Sequence, residues 1–144
     1  MDKVYFFYWI ENWCYRHHLT IIAVLIRMFI RLVFSCDIPY RATIGKGTTF
    51  PHDALGIVIH PDVVIGCNCK ILHGVTLGGR GGKGRTGLPK VGNNVLIGCH
   101  AQVMGPVTIG DNAKIGAGSI VVSDVPADST VVGNPARIIQ QNKE

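Results

Sequence analysis

Six histidines are the side chains best suited to move a proton near neutral pH. His52 and His73 are the two placed for it. His52 sits in the segment FPHDALG, and His73 in ILHGV. His17 and His18 lie in an apolar N-terminal stretch, His60 precedes Pro61, and His100 follows Cys99, so these four read as structural. A base needs a group to orient it, and a pairing with Asp37 is geometrically plausible in the pattern described next. A carboxylate beside His52 would fix the imidazole tautomer and raise its basicity, as in a general-base dyad. Arg80, Lys83 and Arg85 scatter through a glycine-rich stretch, loosely like a phosphate cradle. That stretch is also what a solvated loop looks like, and no G-K-[ST] sequence follows it. Cys67 and Cys69 flank Asn68, yet Cys69 occupies a small-residue position of the repeat, so no metal is expected there.

The elements that would position these groups follow from a six-residue period. Ile65, Ile71 and Leu77 are six apart, and so are Val91, Ile97, Val103, Ile109, Ile115 and Val121. Four places after each anchor stands a small or β-branched residue, from Cys69 and Val75 to Ser119 and Val125. Six matches neither the helical 3.6 nor the strand period of 2. It matches a chain that turns a corner every six residues and stacks its anchors inward. The expected fold is all-β, a left-handed parallel β-helix with triangular coils and a short N-terminal helical segment. Glycine follows the anchors at 66, 78, 92, 98, 110 and 116, which predicts an unusual backbone conformation there. Three-sided coils take about 18 residues per turn, so residue 55 would stack over Asp37. His52 would then sit half a side away and one rung up, with rungs about 4.8 Å apart. The register slips by three residues around 51–58 and again across 78–90. Such interruptions are surface loops, often on the binding face.

Residues 1–35 are expected to form an apolar helical segment, 36–138 the β-helix, and 139–144 a polar tail. Arg16, Thr20, Ala23, Arg27 and Arg31 follow three- and four-residue steps and predict one polar stripe on a helix. Two arginines weigh against a membrane-spanning helix, and Phe34-Ser35-Cys36 is a poor signal-peptide cleavage site. The segment instead packs on a partner subunit or lies on a membrane surface through residues 4–34. The chain's 144 residues make one domain with an appendage. A net charge of +5 suits an anionic ligand or membrane surface, and no nucleic-acid module is visible. Five cysteines without a C-x-x-C pair favour a reducing cytoplasm.

Several segments together resemble the hexapeptide-repeat acyltransferases, in particular the serine acetyltransferases. They are CDI at 36–38, HDALGIVI at 52–59, ILHGVTLGGRGGKG at 71–84, KIGAGSIVVSDVP at 114–126 and GNPARI at 133–138. The resemblance implies a homotrimer that binds acetyl-CoA in the groove between subunits, without metal. It implies that His52 is the catalytic base and Asp37 its partner, with His73 second. It implies that Gly79, Cys99, Lys114, Ala117 and Arg137 contact acetyl-CoA. A backbone N–H at Gly78 or Gly79 is expected to stabilise the oxyanion. Pro51, Gly87 and Leu88 stand where the family has an aspartate, an arginine and a histidine for serine. The expected acceptor is therefore a saccharide hydroxyl, with serine O-acetylation or a non-catalytic trimeric scaffold as alternatives. An enzyme of this kind is expected in the cytoplasm or peripheral to the inner face of the membrane.

Overall fold

The computed structural model describes residues 2–81 and 87–141. From Cys36 onward the chain visits three parallel sheets in rotation. One face stacks Thr43–Ile44, Val64–Ile65, Lys90–Val91 and Thr108–Ile109. The second stacks Lys70–Ile71, Leu96–Ile97, Lys114–Ile115 and Ser129–Val132. The third stacks Val58–Ile59, Thr76–Gly78, Gln102–Met104 and Ile120–Val121. The six-residue anchors line up inside this three-sided coil. Ile71, Ile97, Val103 and Ala113 are fully buried, and Leu77, Ile109, Ile115 and Val121 nearly so. Each buried aliphatic side chain contributes roughly 1.5–3 kcal/mol. Arg137–Gln141 then turns back and pairs antiparallel with Ser129–Val132, covering the last edge.

The glycines after the anchors do a different job from the one their position suggests. Gly66, Gly92, Gly98, Gly110 and Gly116 do not adopt positive φ. They are needed because the next rung comes too close for a side chain. A Cβ on Gly66 would lie 2.4 Å from the Gly92 carbonyl oxygen, and one on Gly110 would lie 2.3 Å from the Ala127 nitrogen. The left-handed corner residues lie two places further on: Asn68, Asn94, His100 and Asn112, with φ from 55° to 59°. Asparagine tolerates this region, and its amide can bond the next corner. Asn94 donates to Asn112 at 3.2 Å, and Asn112 donates to Asp128 at 2.9 Å.

Residues 3–34 form two helices rather than one, α1 (Lys3–Arg16) and α2 (Thr20–Phe34). The break falls at His17–Leu19, where His18 is left-handed at φ 62° and the Leu19 N–H bonds back to the Cys14 carbonyl. Asp2 caps α1 by accepting from the Tyr5 N–H at 3.0 Å, and its other oxygen accepts from the Phe50 N–H at 2.8 Å. Val4, Tyr8 and Glu11 recur at helical spacing and bury one face of α1. The Tyr8 hydroxyl donates to the Ala42 carbonyl at 2.6 Å and accepts from the Ile44 N–H at 3.1 Å. Tyr8→Phe should cost about 1–3 kcal/mol, because it leaves a buried backbone N–H and C=O unpaired. A chemical-denaturation midpoint measured beside wild type checks this.

The expected polar stripe is split by the helix break, since Arg16 belongs to α1. On α2 the stripe turns inward: Ala23 is fully buried and Arg27 reaches Asp37. Apart from Ile30, Ile26 and Phe34, the apolar residues of α2 face outward instead, with Ile21 79% and Leu32 80% exposed. Among the described residues no helix is long and apolar enough to cross a membrane.

Candidate active site

His52 lies in a tight turn, Pro51–Ala54, inserted into the first coil. Three successive residues there, His52, Asp53 and Ala54, have φ of 59°, 54° and 60°. Left-handed conformations cost non-glycine residues energy, and a run of them persists only where the surroundings impose it. Fully buried Ala54 anchors the turn, and its N–H bonds the Phe50 carbonyl. His52 itself is exposed.

The insertion also moves the register. Asp37 pairs with Val58, not with residue 55, and Thr43 pairs with Val64. The first coil therefore takes 21 residues instead of 18, a spacing also seen between Thr48 and Cys69. The distance argument for an Asp37–His52 contact fails on this count, and no hydrogen bond or ion pair joins the two side chains in this structure. Arginines take the carboxylate instead. Arg27 donates to Asp37 Oδ1 from Nη2 at 2.8 Å and from Nε at 3.2 Å. Arg31 Nη1 stands 3.5 Å from Oδ2.

The imidazole of His52 meets His73 edge to face, with ring centroids 5.1 Å apart and planes at 87°. His73 meets His100 in the same geometry. Three histidines thus climb one edge of the coil, with His100 seated over Gly74, where a Cβ would strike its ring at 2.2 Å. The Nδ1 of His73 is buried and has no hydrogen-bond partner among the described residues. His100, read from the sequence as structural, therefore joins the column that contains His52 and His73.

Behind Asp37 lies a group that the sequence did not single out. Glu11 is fully buried, and neither carboxylate oxygen has a hydrogen-bond partner among the described residues. Desolvation pushes its pKa up to about 9, against the opposing pull of Arg27 and with a further push from Asp37. Glu11 is therefore protonated at pH 7. Burial also raises the Cys36 thiol to about 12, which removes it as a nucleophile.

The positions expected to meet acetyl-CoA do not gather in one cleft of a single chain. Cys99 and Ala117 come together on adjacent rungs, where the Gly118 N–H bonds the Cys99 carbonyl. Lys114 is exposed on the second face. Gly79 follows the third-face strand at its far end. Arg137 lies on the closing strand and lines a cavity of about 310 Å³ with Val125, Val131 and Ala136. A long ligand laid across the coil beside a second subunit would touch such a spread of positions. Arg80 is exposed, whereas Lys83 and Arg85 of the same loop lie outside the described residues. Among the described residues no three histidine, cysteine or acidic side chains gather to hold a metal ion.

Residues 89–123 match the family described as "Bacterial transferase hexapeptide (six repeats)". The chain is 40% identical over 133 residues to a serine acetyltransferase of Synechococcus elongatus, covering 92% of this chain and 54% of that one. It belongs to the hexapeptide-repeat acyltransferase family. A crystal structure of serine acetyltransferase from Brucella abortus strain S19 superposes with a TM-score of 0.88 at 37% identity, covering 96% of this chain and 56% of that one. The same Brucella protein in complex with coenzyme A superposes with a TM-score of 0.86 at 36% identity, covering 95% and 54%. The chain thus spans about half the length of these family members.

Proposed function

We propose that this protein is an acetyl-CoA-dependent O-acetyltransferase that acetylates a hydroxyl of a saccharide. The observation that carries the reading is His52, an exposed imidazole fixed on a strained turn of a coil that superposes on serine acetyltransferases. The same kinship supports a left-handed coil, a homotrimer, and acetyl-CoA in the groove between subunits near Cys99, Lys114, Ala117, Gly79 and Arg137. An exposed lysine and arginine fit the phosphates of such a ligand.

In the proposed reaction His52 removes the acceptor's hydroxyl proton as its oxygen attacks the thioester carbonyl. A backbone N–H at Gly78 or Gly79 stabilises the tetrahedral oxyanion. The C–S bond breaks, the acetyl group stays on the acceptor oxygen, and His52 returns the proton to the departing thiolate. Asp37 orients His52 through Oδ2 once Arg31 releases it, while Arg27 keeps Oδ1.

The saccharide part of the reading rests on what replaces the serine-holding groups. Pro51 carries no charge, and Leu88 packs against the apolar core. Gly87 faces Pro106, where a Cβ would come within 2.7 Å. None of the three can hold an ammonium or a carboxylate, and a charged group bound without partners binds poorly. Serine O-acetylation is the second reading, favoured by the names of the relatives.

Free thiols at all five cysteines support a reducing cytoplasm. The exposed apolar side of α2 supports cover by the inner face of a membrane or by a second subunit.

Release of CoA, followed with a thiol reagent, tests the function with purified protein, acetyl-CoA and either L-serine or a panel of sugars. Turnover with a sugar and not with serine is expected. Turnover with serine alone would replace this reading by the second.

A further inference from the structure

Two arginines meet one carboxylate beside a cleft, and their charges do not balance. Arg27 holds Asp37 through two hydrogen bonds to one oxygen, and Arg31 adds a single looser contact to the other. Glu11 behind them is neutral, since burial keeps its proton on. The cluster therefore carries one positive charge in excess. The excess sits on Arg31, whose side chain is 68% exposed and makes no hydrogen bond among the described residues. Its guanidinium keeps its fork of N–H donors available, a geometry that matches a carboxylate or phosphate.

That guanidinium borders a cleft of about 280 Å³ lined by Arg31, Ser35, Cys36, Asp37, Ile57 and Val58. Ser35 is left-handed at φ 52° where α2 ends, and its carbonyl accepts the Gly56 N–H, so the cleft wall is tied to the coil just after the His52 turn. The polar and charged residues are joined by the half-exposed side chain of Val58, which pairs with Asp37 on the next rung. An apolar side with one convergent cation is the usual make-up of a small-molecule site.

We propose that this cleft is the acceptor site and that Arg31 binds an anionic group, a carboxylate or a phosphate, carried by the acceptor. The proposal rests on the acetyltransferase reading above and narrows its acceptor to an acidic or phosphorylated saccharide. The anion takes up the excess charge, and Arg27 stays on Asp37.

The test pairs acceptors that differ only in charge. KM is measured for methyl β-D-glucuronide, methyl β-D-glucoside and glucose 6-phosphate with wild type and Arg31→Gln, after thermal melts show both proteins folded. Wild type should prefer an anionic acceptor over the glucoside by about 10- to 100-fold, the size of one charge-assisted hydrogen bond. Arg31→Gln should bring that ratio close to one. The glucuronide or the phosphate, whichever shows the preference, identifies the anion. A wild-type ratio near one, or a ratio that Arg31→Gln leaves in place, overturns the proposal. L-serine is the separating arm. Turnover with serine alone, weakened by Arg31→Gln, would sink the saccharide reading and leave the anion subsite standing. If none of the acceptors turns over, calorimetry with the glucuronide and with glucose 6-phosphate decides. Binding lost in Arg31→Gln supports the subsite, and no Arg31-dependent binding overturns it.

Discussion

His52→Ala is expected to lower kcat by about 10²–10⁴, the usual share of a general base, with little change in KM for acetyl-CoA. The size follows from the site. His52 is exposed, its ring is held edge to face by His73, and no other side chain among the described residues bonds it. Its turn does not depend on the imidazole, because Ala54 and the Ala54-to-Phe50 hydrogen bond anchor it. The variant should therefore fold as wild type does, and the loss should appear in rate rather than in melting temperature. Steady-state kinetics with a circular-dichroism melt separate the two. Full activity in His52→Ala would pass the role to His73, whose Nδ1 is buried and unbonded 5.1 Å away, ring to ring.

Glu11→Gln is expected to remove most of a pH dependence of stability. Burial lifts the folded-state pKa of Glu11 from 4.5 to about 9. Between those values the native protein holds a proton that the unfolded chain has released. Stability from this group is therefore complete below about pH 4.5 and falls as pH rises toward 9. From pH 5 to pH 8 the loss is about 4 kcal/mol, or roughly 10 °C in Tm. Glutamine keeps the shape and cannot ionise, so the variant should lose far less over that range and be the more stable protein at pH 8. Thermal melts of both proteins across the range read the difference directly. Parallel curves would mean that Glu11 has a partner holding its charge.

The coil was legible because its signal is a rule of geometry: six residues per side put Ile71, Ile97 and Ile115 on one inward line. The second slip was legible too: Lys70 pairs with Leu96, 26 residues on rather than 18. The first slip was visible as a slip, but its consequence was not. Three residues added at Pro51–Ala54 moved Asp37 from residue 55 to Val58, and nothing in the letters PHDA announces three left-handed residues. The helix break at His17–Leu19 was hidden for a related reason, since neither glycine nor proline marks it. The corner glycines were assigned to the wrong cause. Their tight packing against the next rung is a tertiary fact that no local preference encodes.

The arginine clamp on Asp37 could not be read because it is made by folding. Arg27 and Arg31 are four apart, as one helical face requires, but only the docking of α2 turns that face toward the coil. Without that docking the stripe reads as a solvent face. Glu11 is the same case on α1: one acidic residue among aromatics reads as a surface position, and it is fully buried. The departures Pro51, Gly87 and Leu88 were visible in the sequence, while the arginine beside the cleft came from α2.

The most direct measurement is mass spectrometry of an acidic saccharide acceptor after incubation with acetyl-CoA and either wild type or His52→Ala. An O-acetylated product that wild type forms, and that His52→Ala forms at a hundredth of the rate or less, is the predicted result. Equal product from both proteins, or no acetylated acceptor from wild type and no detectable binding of acetyl-CoA, would contradict the account.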